Sequence, residues 1–222
     1  MNITSWSRRL STIALSIILS LTIFSLPAHA FVDKDYTKLL ITNACVGCDL
    51  SEANLSGKDL YGSALGGANL SNANLSGALL ADAKLKGANL TGANLSGAIL
   101  MGITLSDANL TRADLSQTDL YNALMDKTKL LNANLTDADL TDAILSDADL
   151  SNAVGKNAQL KGAILSRSNL SNADFSNSFM RKTRLVDAIL KEAKFSSTDL
   201  FNSLMPNNTI YNGDVTQFGA YQ

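Results

Sequence analysis

Histidine and tryptophan are almost missing from this chain: His29 and Trp6 are the single examples of each. Both lie in the first thirty residues, which have the parts of an export leader. Arg8 and Arg9 give a basic start, an apolar run extends from Ile13 to Leu26, and Ala28-His29-Ala30 supplies the small residues of a cleavage site. Cleavage is expected after Ala30. The apolar run is shorter than the ~20 residues that span a bilayer, and no stop-transfer charges follow it. No stable membrane span is therefore expected once residues 1–30 are removed. Ser7-Arg8-Arg9 hints at the twin-arginine route, yet Ser11 stands where that signal usually wants an apolar residue, so the route stays open.

Loss of the leader leaves a chain without histidine, which removes the commonest metal ligand. Strong charge is lacking too. Taking Arg8 and Arg9 from 18 basic residues leaves 16 against 20 acidic ones, a formal charge of −4. That balance excludes the basic face of an electrostatic nucleic-acid binder, and it is too small for an acidic mimic of DNA. Cysteine is scarce as well. The chain has two, in Cys45-Val46-Gly47-Cys48, a spacing open to a disulfide, a redox pair or half a metal site.

What the chain has in quantity is period five. From Leu50 to Ile210 a large apolar residue returns at every fifth position with the one exception of Gly155, and Leu fills 26 of these 33 positions. Two residues before each, Ala occupies 21 of the 33, and Ser or Thr most of the rest. Both positions must be enclosed. Neither the 3.6-residue helical period nor the two-residue strand period accounts for this recurrence, so a solenoid is expected.

Ala68-Asn69-Leu70-Ser71-Asn72, Ala88-Asn89-Leu90-Thr91-Gly92 and Ala138-Asp139-Leu140-Thr141-Asp142 resemble the A(D/N)LXX unit of the pentapeptide-repeat family. The resemblance covers residues 46–210. It implies an all-β fold, a right-handed quadrilateral β-helix with four blocks per coil and both the Leu and the small residue pointing inward. Thirty-three blocks then make about eight coils, and ~4.8 Å between strands makes a rod roughly 40 Å long.

Solenoid ends need covering. Residues 31–45 are expected to cap the first coil, with a short helix from Asp33 to Asn43 that sets Tyr36, Leu39 and Leu40 on one face. Residues 211–222, after Pro206 and two asparagines, are expected to cover the other end with Tyr211, Phe218 and Tyr221. Gly155 stands in a Leu position beside Val154, so either Val154 turns inward or the coil bulges there.

In repeat register Cys45 takes the Leu position and Cys48 the small-residue position, so both should face inward. The βαβ setting of a thioredoxin-like site is absent, and structural zinc needs four ligands. A structural disulfide or a pair of buried thiols is the expectation, with thiol-disulfide exchange as the competing reading. Asp137, Asp139, Asp142, Asp147 and Asp149 lie close in register, but ladder positions splay outward and no calcium motif is present. They read as a solvated acidic face. No catalytic, cofactor-binding or metal residues are expected.

A twenty-residue coil sorts outward positions by face. Asn54, Asn74, Asn94, Asp114 and Asn134 make one polar column, and Asn69, Asn89, Asn109 and Asn169 the next; such side chains bond turn backbone. The serines at 56, 76, 96 and 116 lack the regular Thr array of an ice-binding face. The remaining faces carry apolar residues instead. Leu124, Ile144, Ile164 and Leu204 align on one, while Tyr61, Leu79, Ile99, Met101 and Tyr121 gather on its neighbour. These columns either form an interface or shield strand backbone.

Charge is uneven along the chain: residues 101–150 hold nine acids and three bases, residues 151–200 eight bases and four acids. The reading is an exported, non-enzymatic binding or scaffold solenoid that docks a protein partner or a second copy of itself. It takes no nucleic acid and no cofactor. The family resemblance adds two implications: the thylakoid lumen or periplasm as the address, and, from some relatives, DNA mimicry that blocks gyrase. Export and weak charge both stand against the second.

Overall fold

The computed structural model describes residues 32–221. The expected leader, with its cleavage site, lies outside the described residues. From Ala44 to Met205 the five-residue blocks repeat one local course: a two-residue turn, an inward residue, an outward residue in a single β-bridge, and a second inward residue, with Lys58 exposed at a first inward position. The bridges are parallel and join residues twenty apart, from Ala44↔Ala64 to Arg184↔Leu204. Twenty residues in blocks of five put four sides in each coil.

The turn explains why the period is five. In Leu70-Ser71-Asn72-Ala73 the Ala73 N–H donates to the Leu70 carbonyl at 3.1 Å, and Asn72 has φ 56°. The second turn residue must therefore sit in the left-handed region, where Gly, Asn and Asp are tolerated best. Asn72, Gly77 and Asp82 fill it in three successive blocks. Three extended residues follow, and the next turn bends the chain again before helix or wide sheet can form.

Backbone groups are satisfied between coils. Leu90 N–H donates to the Asn109 carbonyl at 2.7 Å, and Asn109 N–H donates back to the Ala88 carbonyl at 2.9 Å. Inside, Leu and small residues stack in register, and the core runs without a break from Leu39 to Ala220. Each enclosed Leu contributes about 1.5–3 kcal/mol of burial, which offsets the ordering of strands too short to stand alone.

Two expectations about register need correction. Val154 does not turn inward and no bulge forms: it bridges Asn134 and Asp174 with its side chain partly in solvent, and Gly155 holds the inward position. Volume explains it. An added Cβ at Gly155 would run into the ring of Phe175, which stands at the same place one coil on. Ile210, expected as the last inward residue, is 62 % exposed and pairs antiparallel with Leu204. The inward register ends at Met205, because Pro206 and the following asparagines reverse the chain.

A helix, α1 (Val32–Thr42), lies over the start of the solenoid. Leu39 is fully enclosed and Tyr36 packs against the core, but Leu40 points into solvent. Asp35 Oδ2 accepts the Asp49 N–H at 3.0 Å, in place of the carbonyl that a preceding coil would offer. At the other end Val215 and Ala220 are buried, Tyr211 and Phe218 pack on the core, and a 3-10 turn spans Thr216–Phe218. Tyr221 bridges Lys194 while remaining exposed itself. No helix among the described residues is long and apolar enough to cross a membrane.

Candidate functional site

The four outward columns differ in what their side chains do. On the Asn89 face, Asn89 Oδ1 accepts the Thr91 N–H at 3.2 Å and the Thr91 hydroxyl at 2.7 Å, and Asn89 Nδ2 donates to Asn69 Oδ1 at 3.0 Å. The Asn94 face repeats this, with Ser96 N–H and hydroxyl both donating to Asn94 Oδ1. These polar groups are committed to their own turns and neighbouring coils. Hydroxyls held in this way have given their one proton to the neighbouring amide and have no donor left for a ligand.

The other two faces meet at one corner and are apolar there. Leu79 and Ile99 bridge each other on the first, and both are exposed to about the same degree, 40 % and 39 %. Past Ile99 the chain turns through Met101, also exposed, and one coil further the same corner is held by Tyr121. Gly102 N–H donates to the Tyr121 carbonyl at 2.9 Å, which fixes those two turns side by side. On the second face Leu124 bridges Ile144, and Ile144 bridges Ile164.

Leu124 is exposed, whereas Ile144, Ile164 and Leu204 are partly buried. Arg184 interrupts the column between Ile164 and Leu204. Leu204 is thereby separated from the rest. Tyr61 stands at the lower end, 61 % exposed, and its hydroxyl donates to Asp82 Oδ2 at 3.0 Å. That bond to a carboxylate raises the phenol pKa above its ordinary value. The structure thus joins the two predicted columns into one oblique band that starts at Tyr61, crosses the corner at Met101 and Tyr121, and ends at Ile164.

Sequence reasoning missed a second apolar group on the same corner. Phe179 and Phe201 are 48 % and 61 % exposed, and the Arg181 guanidinium lies 5.7 Å from the Phe201 ring centre while it bonds Asp199. Phe179 occupies the Leu79 column and Phe201 the Tyr61 column, so twenty-residue arithmetic carried further along the chain would have found both.

Cys45 and Cys48 are joined as a disulfide, with Cα atoms 5.3 Å apart. Cys45 is fully buried and Cys48 nearly so, under α1. The Asp35 carboxylate and the two sulfurs form the one group of potential metal ligands among the described residues. Bonded to each other, the sulfurs are not thiolates and cannot ligate a cation. Their burial also withholds them from attack by another protein's thiolate.

The clustered aspartates have separate partners. Asp137 accepts from Asn157, Asp139 from the Thr141 N–H and Asp149 from Ser151, while Asp147 is held by Arg167 at 2.7 Å. The Arg167 bond lowers the Asp147 pKa below its ordinary value.

A family model described as pentapeptide repeats matches in eight copies, over residues 45–79, 63–102, 105–142, 133–172 and 168–205. No curated protein matches the chain. Among solved structures, it is similar to HetL, a pentapeptide repeat protein involved in heterocyst differentiation regulation in Nostoc sp. strain PCC 7120. The identity is 27 % over 80 % of this chain and 98 % of that one, with a TM-score of 0.36. It is similar to QnrB1, a plasmid-mediated fluoroquinolone resistance protein, with 21 % identity over 70 % and 88 % of the two chains and a TM-score of 0.39. A pentapeptide repeat protein of the Arabidopsis thaliana thylakoid lumen is 33 % identical over 58 % and 68 %, with a TM-score of 0.25.

Proposed function

The chain belongs to the pentapeptide-repeat family, whose members fold as right-handed quadrilateral β-helices and are generally non-enzymatic, and from that premise we propose that it is an exported scaffold that docks a protein on its apolar corner. One observation carries the reading. The two polar faces spend their side chains on internal ladders, while the band leaves large apolar side chains in solvent from Tyr61 to Leu124 and continues half-buried through Ile144 and Ile164. Contiguous exposed apolar surface marks interaction sites in soluble proteins.

Export is supported by the basic start, the apolar run and the Ala28-His29-Ala30 site. The Cys45–Cys48 disulfide belongs with an oxidising compartment such as the thylakoid lumen or periplasm. In this reading it is structural and pins the first coil beneath α1.

The test is to change Leu124, Ile144 and Ile164 together to Asp. These side chains point outward, so folding should survive. Self-association and capture of partners from the native compartment are then compared with the unchanged protein. Loss of either supports docking at this corner; unchanged behaviour in both removes it.

A further inference from the structure

We propose that the occupant of the apolar corner is a cationic amphipathic helix presented by a partner protein. The inference rests on the docking reading above and adds the shape and charge of what docks. Its first ground is charge. Asp82, Asp119, Asp139 and Asp142 border the band: Asp119 bridges Ile99, Asp139 bridges Asp119, and Asp82 bonds Tyr61. None of the four makes an ion pair among the described residues. The lysines and arginines that do pair, Lys86, Lys156, Arg167 and Arg181, take other aspartates. Lys84, Lys161 and Arg184 are exposed and also outside those ion pairs, but they stand at the two ends of the band, below Thr104 and beside Ile164, so the negative charge left unneutralised lies along its middle, from Ile99 to Ile144. A partner with Lys or Arg beside its apolar stripe supplies the complement.

Spacing is the second ground. Apolar groups on the band recur once per coil, every ~4.8 Å along the rod, and those on a helix recur once per turn, every ~5.4 Å. Laid parallel to the rod, the two series drift apart by about 3 Å over five turns. Inclined by roughly 27°, a helix advances ~4.8 Å along the rod per turn, and the series stay in step. The band is inclined in this sense, since it leaves the Leu79 face at Ile99, rounds the corner at Met101 and Tyr121, and continues on the Leu124 face. It covers about five coils, or ~25 Å along the rod, which a helix inclined in this way spans in about five turns, or about 18 residues. Apolar anchors at helical spacing, with basic residues on both flanks, would fit it.

The test uses the purified protein as its host produces it and two labelled synthetic peptides of equal length. Both place Leu at helical spacing; one carries Lys at every flanking position and the other Glu. Binding is read by fluorescence anisotropy. The Lys peptide is expected to bind at least about tenfold more tightly than the Glu peptide, and the preference should fade as salt shortens the screening length. It should also fade when Asp119, Asp139 and Asp142 are changed to Asn. That variant keeps the fold, because Asn accepts the same turn bonds at Asn89 and Asn109.

Leu124→Ser with Ile144→Ser should abolish binding of both peptides. Equal binding of the two, both lost in the Ser variant, overturns the charge inference and leaves docking at the corner standing. Failure of the Lys peptide to bind, or binding indifferent to the Ser variant, overturns the inference outright. So does a concentration-dependent dimer that the Lys peptide cannot compete away, for it gives the corner to a second copy. The Asp variants described above separately decide the docking reading.

Discussion

The second turn residue of each block is where sequence and backbone disagree most. Gly, Asn and Asp fill most of these left-handed positions, yet Arg112, Lys127, Arg167 and Lys182 also adopt φ between 56° and 60°. An L-residue there costs about 1–2 kcal/mol, against about 0.5–1 kcal/mol for the extra freedom glycine loses on folding. Arg112→Gly is therefore expected to stabilise the protein by roughly 0.5–1 kcal/mol, read as a higher urea midpoint with unchanged slope. The aspartates give a second prediction. The Arg167 bond at Asp147, the Arg181 bond at Asp199 and the Ser51 hydroxyl at Asp49 each hold a carboxyl below its ordinary value of 3.8. A depressed folded-state pKa contributes stability that is present above the unfolded-state value and is lost as pH falls through the folded one. Thermal stability should thus be flat near neutrality and decline below about pH 4. Asp147→Asn should flatten part of that acid limb, whereas an identical limb in the variant would show that the Arg167 contact contributes nothing.

At the scale of the coil, the period-five pattern made the solenoid legible because one physical requirement, an enclosed Leu beside an enclosed small residue, repeats without regard to what lies outside. The same reasoning placed the Asn columns on their turns and found most of the apolar corner. It failed where neighbouring coils trade volume. Gly155 looked like a defect on its own, and the Phe175 ring that fills its space lies twenty residues away. Gly155→Ala should therefore cost about 1–3 kcal/mol by overpacking. Adding Phe175→Leu should recover much of it, as a double-mutant cycle in denaturant would measure. Simple additivity of the two changes would mean that the ring and the glycine do not share a space. The ends were less legible for a related reason. Cap contacts such as Asp35 on the Asp49 N–H, and the antiparallel return of Ile210 onto Leu204, occur once and leave no period to read.

For the whole molecule, the division of labour among faces decides function. Two sides are closed by their own hydrogen-bonded ladders, and the corner between the other two is apolar, with unpaired acids along its middle and bases at its ends. Basic residues gather further along the chain, where several already pair with aspartates one coil away or nearly so, as Arg167 does with Asp147. Everything said of columns, corner and rim depends on the inside-outside register of the blocks. The most direct measurement is a set of single cysteines at Asp107, Ala108, Asn109 and Leu110, reacted with a maleimide in the folded protein; the native pair is held as a disulfide. Cysteines at 107 and 109 should label readily, and those at 108 and 110 only after denaturation. Labelling at 110 as fast as at 109 would contradict the account.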